Sequence, residues 1–131
     1  MQFESTHING KGRGKPMGFP TINLNIPKDF KLKDGVYAVK VNIESKTFVG
    51  AMHYGSIPTF SEQEKNLEIY LIGIKNIDLE NYGLSNLEGK NIKVEIIKYL
   101  RGTIKFRTVA GLVKQIDEDV KQIKAISPLS N

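Results

Sequence analysis

The chain has 131 residues, 40% of them hydrophobic and 25% charged, with 19 Lys and Arg against 14 Asp and Glu and a net charge of +5. That length suits one domain, residues 1–131, able to bury about two thirds of its unfolded surface, and the basic surplus favours an anionic partner such as a nucleotide, a phosphorylated product or nucleic acid. There is no cysteine, which excludes a disulfide framework, a thiolate metal site and a cysteine nucleophile.

The start, Met1 to Thr6, has neither a basic cluster nor an apolar core and is not a secretory signal. No apolar run approaches membrane-spanning length. A cytoplasmic chain without membrane contact is expected.

Phe3 to Ile8 alternates weakly and reads as a short strand. It leads into Gly10-Lys11-Gly12-Arg13-Gly14-Lys15-Pro16-Met17-Gly18-Phe19. The glycines at 10, 12, 14 and 18 remove side chains, so backbone N–H groups can converge on an anion as a concave nest. Lys11, Arg13 and Lys15 add positive charge beside it. Neither the P-loop spacing nor a following helix is present. On local chemistry alone, a solvated basic loop and a phosphate cradle therefore both remain open.

Pro20 to Leu24 is the second strand, with Thr21 and Asn23 on one face because strand side chains alternate. A hydroxyl and an amide oxygen beside a phosphate cradle suit Mg²⁺, which takes few protein ligands and fills its shell with phosphate and water. Plain strand hydrogen bonding is the other reading of the pair.

Asn25 to Gly35 is a connection closed by the Asp34-Gly35 turn. Val36 to Ile43 has Tyr37, Val39, Val41 and Ile43 on one face. A hairpin turn at Glu44-Ser45-Lys46 leads into Thr47–Tyr54, where Phe48, Met52 and Tyr54 oppose Val49, Ala51 and His53. Gly55 to Phe60 breaks the alternation and Ser61 to Asn66 is a polar loop. Leu67–Ile74 resumes as a strand with Glu68, Tyr70 and Ile72 on one face and Leu67, Ile69 and Leu71 on the other. Lys75 to Lys90 carries little pattern. Asn91 to Leu100 is the last strand, with Ile92, Val94 and Ile96 inward.

Thr108 is a good N-cap for a helix in which Val109, Leu112, Val113, Ile116, Val120 and Ile123 repeat at helical spacing. Asp117, Glu118 and Asp119, with Lys114, Lys121 and Lys124, form its wet face. Many short strands and one late helix argue an antiparallel barrel closed by a helix.

The block Gly10 to Asn23, with Pro20-Thr21-Ile22-Asn23 at its end, resembles the signature loop of the ATP-dependent riboflavin kinase family. Similar blocks follow in order: Gly35-Val36-Tyr37-Ala38, Gly55-Ser56-Ile57-Pro58-Thr59-Phe60, Leu67-Glu68-Ile69, and Leu100-Arg101 with Lys105-Phe106. The helix then carries Leu112, Gln115, Ile116 and Asp119. The resemblance covers nearly the whole chain. It implies a mainly β fold, a six-stranded antiparallel Greek-key barrel with a C-terminal helix, and transfer of the γ-phosphoryl of ATP to riboflavin. FMN would be the product and Mg²⁺ or another divalent cation the cofactor.

Carried onto this chain, the resemblance makes Glu68 the base for the ribityl 5′-hydroxyl; a solvated barrel-surface glutamate is its alternative. Gly10, Gly12, Arg13, Gly14, Lys15, Gly18 and Pro20 would hold the nucleotide phosphates, and Thr21 and Asn23 the metal. Arg101, Lys105 and Phe106 would border the flavin, where a guanidinium or an aromatic ring can stack on an isoalloxazine; a plain strand-to-helix connection is the alternative there. His7 and His53 are far apart, lack zinc spacing and read as structural.

Three departures stand out. His53-Tyr54 replaces the family's asparagine-isoleucine, Gly73 stands where an aspartate is common, and Glu88 interrupts an Asp-Leu-Tyr-Gly-Lys stretch. Many bacterial relatives carry an adenylyltransferase domain ahead of this module; with none here, FAD synthesis is not expected. The expected partners are riboflavin and ATP, with no nucleic acid and a monomeric state. Two other classes stay open: a flavin- or nucleotide-binding module with weakened turnover, and a basic barrel binding single-stranded nucleic acid.

Overall fold

The alternation of Tyr37, Val39, Val41 and Ile43 is realised as an inward-facing row, all four side chains being buried. It belongs to β3 (Gly35–Ile43) in a computed structural model that describes residues 1–8, 20–56, 64–74, 87 and 89–126. The other strands are β1 (Gln2–Ile8), β2 (Thr21–Leu24), β4 (Lys46–Gly55), β5 (Asn66–Ile72) and β6 (Asn91–Arg101), followed by the helix α1 (Val109–Ile126). These observed bounds lie within two residues of those expected from alternation.

The strands close into an antiparallel barrel in the order β1-β2-β5-β4-β3-β6. Strands β3, β4 and β5 form a meander, and β6 returns to lie beside β3, which is Greek-key connectivity. The β3–β4 hairpin turns at Glu44 and Ser45, whose φ angles are 46° and 73°. That left-handed pair matches the twist of the flanking strands.

The lumen is a packed core. Ile22, Leu24, Met52, Leu67, Ile69, Leu71, Ile92 and Val94 meet there with the β3 row. One end is filled by Phe30, whose ring stands edge-on to Phe3 and to Tyr54 at 4.9 Å each. Toward the same end Tyr37 and Tyr99 pack edge-to-face at 5.1 Å.

A second, smaller cluster lies outside the barrel. Ala38, Ala51 and Tyr70 face away from the lumen and pack against Leu112, Ile116 and Ile123 of α1. The two alanines leave a shallow floor on which a helix can rest closely. The cap forms as expected: the Gly111 N–H donates to Thr108 Oγ1 at 3.1 Å, satisfying one of the helix's orphan donors.

Two helix expectations need correction. Asp119 is not on the wet face; it is 3% exposed and shares the buried stripe with Leu112, Ile116 and Ile123. Val109, read as part of the apolar stripe, is 47% exposed. The stripe begins one turn later, since Val109 directly follows the cap.

β6 is not regular. Val39 pairs with Ile96, Ala38 with Lys98, Tyr37 with Tyr99 and Val36 with Arg101, so the register slips by one residue twice. Each slip is a bulge that inserts one extra residue and bends the strand. Ile97 and Leu100, the two inserted residues, pack toward the helix cluster.

Candidate functional site

Cross-strand register assembles the site. Asn23 on β2 is opposite Glu68 on β5, and Glu68 is opposite His53 on β4. His53 is opposite Val36 on β3, which is opposite Arg101 on β6. Directly opposed residues of antiparallel strands project from the same face. Their sequence neighbours Ile22, Leu67, Ile69, Met52, Tyr54 and Tyr37 fill the lumen, so this row lies on the barrel's outer face. The adjacent row on that face runs from Thr21 through Tyr70 and Ala51 to Ala38.

Glu68 is 2% exposed. This removes the solvated-surface alternative: a carboxylate withdrawn from water needs charged or hydrogen-bonding neighbours, which a purely decorative glutamate does not. Thr21 and Asn23 are half-buried on the same face. Their neutral hydroxyl and amide oxygens are hard donors. Among the described residues no three His, Asp or Glu side chains gather as a metal cage. The donor set therefore fits a cation such as Mg²⁺, which accepts one or two protein oxygens and completes its shell from phosphate and water.

Asn23 also pairs with Ile8, the last residue of β1. The chain thus leaves β1 beside the strand position facing Glu68 and re-enters at Pro20. Pro20 is fully buried, and its carbonyl accepts the Leu71 N–H at 2.9 Å, extending the β2–β5 pairing. The other residues expected to hold phosphate, Gly10, Gly12, Arg13, Gly14, Lys15 and Gly18, lie outside the described residues, as does Glu88.

At the far end of the row Arg101 is anchored. Its Nε donates to Asp119 Oδ1 and Oδ2 at 3.0 and 3.2 Å, and its Nη2 donates to Oδ2 at 2.8 Å. Gln115 Nε2 donates to Oδ1 at 3.1 Å. The guanidinium Nη1 turns back to the Gly102 carbonyl at 3.0 Å. Such a forked, charge-assisted pair fixes geometry as well as charge.

Between this pair and the sheet lies a narrow recess with about 10 Å³ of free space, room for about one water. Ala51, His53, Tyr70, Arg101, Leu112 and Asp119 are among its lining residues.

His53 in its wall is pushed down to about 4, first by burial and then by the Arg101 charge, with Asp34 and Asp119 opposing in part. It is a neutral imidazole at neutral pH. Its Nδ1 is buried without a hydrogen-bond partner among the described residues.

Of the three residues expected near a flavin, Arg101 borders the recess, although its Nε and Nη2 donate to Asp119. Lys105 is exposed and Phe106 packs against the base of α1; neither lines the recess. Three lining residues were not among the expected site residues: His53, noted as a departure from the family but read as structural; Tyr70, noted only for sharing a face with Glu68; and Asp119, placed on the wet face of the helix. The spacing 112, 116, 119, 123 was the available signal for Asp119, because it places the acid on the apolar stripe. His53 had no local signal, since its relation to Glu68 exists only through strand register.

Comparison with known proteins is consistent with this geometry. The flavokinase (riboflavin kinase) family model matches residues 1–127. The bifunctional riboflavin kinase/FMN adenylyltransferase of Buchnera aphidicola subsp. Acyrthosiphon pisum is 38% identical over 116 residues, covering 86% of this chain and 34% of that protein. The RNA-binding riboflavin kinase RibR of Bacillus subtilis is 32% identical over 116 residues, covering 88% of this chain and 46% of that protein. The chain thus spans between about a third and a half of the length of these curated relatives. Among solved structures, riboflavin kinase from Trypanosoma brucei superposes with a TM-score of 0.62 at 19% identity, over 95% of this chain and 78% of that one. At that identity the likeness speaks to the barrel and its helix alone.

Proposed function

The chain belongs to the riboflavin kinase family of phosphotransferases, and from that premise we propose that it transfers the γ-phosphoryl group of ATP to the 5′-hydroxyl of riboflavin, giving FMN and ADP. The observation that carries this reading is a buried carboxylate, Glu68, in direct cross-strand register with Asn23, which itself pairs with the residue from which the glycine-rich segment departs.

Phosphoryl transfer needs little covalent help from a protein; it needs alignment and neutralisation of charge. The riboflavin 5′-oxygen attacks the γ-phosphorus, the bond to the β,γ-bridging oxygen breaks, and ADP departs with that bond's electrons. Glu68 accepts the hydroxyl proton. A positioned base of this kind contributes about 10²–10⁴-fold. Thr21 and Asn23 would hold a divalent cation such as Mg²⁺, which when bound offsets the negative charge of the phosphates. The backbone amides of Gly10 to Gly18 would cradle those phosphates, with Arg13 and Lys15 beside them. The acceptor approaches from the opposite side of Glu68, along the outer-face row that carries His53.

The single-stranded nucleic-acid reading draws no support from the surface. None of the aromatic side chains among the described residues is exposed, so there is no stacking platform for bases there. No helix among the described residues is long and apolar enough to cross a membrane. A cytoplasmic monomer acting on two diffusible substrates is part of the same proposal.

The test is incubation with riboflavin, ATP and Mg²⁺ followed by chromatographic separation of FMN. Accumulation of FMN and ADP in equal amounts is expected. No FMN over a range of divalent cations would overturn the reading.

A further inference from the structure

On the outer-face row, four positions carry polar groups. Asn23 and Glu68 serve the phosphate side. Arg101 and Asp119 are committed to each other through three hydrogen bonds of 2.8–3.2 Å. The fourth is His53, between them. Its surroundings in the recess are largely apolar, with Val36, Ala51, Leu112 and Ile116 close by. Filling such a wall with an aliphatic side chain would avoid the desolvation cost of an imidazole whose Nδ1 has no partner among the described residues. The position therefore holds hydrogen-bonding capacity that the described contacts leave unused, at a point directly across from Glu68.

We propose that His53 is a specificity-determining residue of the acceptor site, hydrogen-bonding a secondary hydroxyl of the polyol chain whose terminal hydroxyl faces Glu68. This rests on the phosphotransferase reading given above. Neighbouring strands stand about 4.8 Å apart. A ligand with its terminal hydroxyl at Glu68 that runs along this outer-face row toward Arg101 must cross His53 one strand later. What crosses there is the chain between the reacting end and the ring, and on a ribityl chain the 2′-, 3′- and 4′-carbons of that stretch each bear a hydroxyl. A neutral imidazole offers one donor and one acceptor nitrogen, and an alcohol can answer either. Burial and the neighbouring Arg101 hold the ring in that neutral form.

A site built to hydrogen-bond an alcohol discriminates against the analogue that lacks it. The experiment compares the wild type with His53→Asn and His53→Leu, using riboflavin and its 2′-, 3′- and 4′-deoxyribityl analogues. Affinity is read by quenching of flavin fluorescence, kcat and KM by FMN formation, and folding by circular dichroism. For the wild type, one of the three analogues should bind about three- to tenfold more weakly than riboflavin. His53→Leu should lose the same factor toward riboflavin, chiefly in KM, and become indifferent to that hydroxyl. His53→Asn should recover most of the discrimination, and KM for ATP should stay unchanged in both variants.

If the wild type and a folded His53→Leu rank the analogues identically, the proposal is overturned. Should His53→Leu not fold, equal affinities of wild type and His53→Asn for all four flavins would overturn it as well. Hydroxyl-dependent binding by a wild type that forms no FMN would sink the kinase reading and leave the His53 contact standing. Absence of any saturable flavin binding would overturn both.

Discussion

Arg101 and Asp119, eighteen residues apart, clamp the end of β6 to the middle of α1 through a forked ion pair whose side chains are only 17% and 4% exposed. This contact and the small apolar cluster around Ala51 and Leu112 together hold the helix over the sheet. Removing one partner of a buried pair leaves an uncompensated charge, which is far costlier than the pair is worth. Asp119→Ala should therefore destabilise the fold by about 3 kcal/mol, read as a lower midpoint in urea. Replacing both residues, with Arg101→Met and Asp119→Leu, should recover much of that loss. An additive double variant would show that the pair is not coupled.

Glu68→Gln keeps the shape and the strand register while removing the proposed proton acceptor. Turnover should fall by about 10²–10⁴-fold, and ATP affinity measured calorimetrically in the presence of Mg²⁺ should change by less than about twofold, because uniform binding is untouched. Turnover close to wild type would remove Glu68 from the chemistry.

Thr21→Ala and Asn23→Ala each delete one hard oxygen from the β2 face. Both should raise the Mg²⁺ concentration needed for half-maximal activity by about tenfold, since protein donors to this cation are few. Metal-free nucleotide affinity should be nearly unaffected. A Mg²⁺ titration that superposes on the wild type would assign these side chains to strand hydrogen bonding instead.

The buried His53 makes stability depend on pH. Its folded-state value of about 4 lies below the ordinary 6.5, so between these values the unfolded chain binds more protons and stability rises with pH. The contribution is fully present above pH 6.5 and is lost as the pH falls toward 4, amounting to roughly 3 kcal/mol across that window. Urea unfolding at pH 7.0, 5.5 and 4.5 should show the decline. His53→Leu should flatten that segment of the curve.

Much of the barrel was legible because its strands are half-lumenal and half-external. A residue facing a packed lumen must be apolar and its neighbours need not be, so Tyr37-Val39-Val41-Ile43 and Leu67-Ile69-Leu71 declared their inward faces. Glu68, Thr21 and Asn23 were legible as types and faces. Their convergence was not, because β2 meets β5 only after a long intervening excursion and register is a property of the pairing. Asp119 was misplaced because polarity was weighed above spacing; a charged residue on an apolar stripe looks like surface until its counter-ion is known. The counter-ion came from β6, delivered by bulges that leave no mark in the alternation of Ile92, Val94 and Ile96.

Those two inserted residues act as a vernier on β6. Paired one-for-one onward from Val39–Ile96, with Ile97 and Leu100 taken into the ladder, β6 would carry Arg101 two positions further, opposite Asp34 rather than Val36. The charge would then sit at the barrel's rim, next to an acid already engaged by Lys65 at 3.0 Å, and the helix would lose its tether while the lumenal contacts of Ile92 and Val94 survived. Leaving the two residues out of the ladder holds Arg101 within reach of Asp119. The irregularity of one strand thus decides whether a well-packed β-cylinder also carries a helix tied to its side.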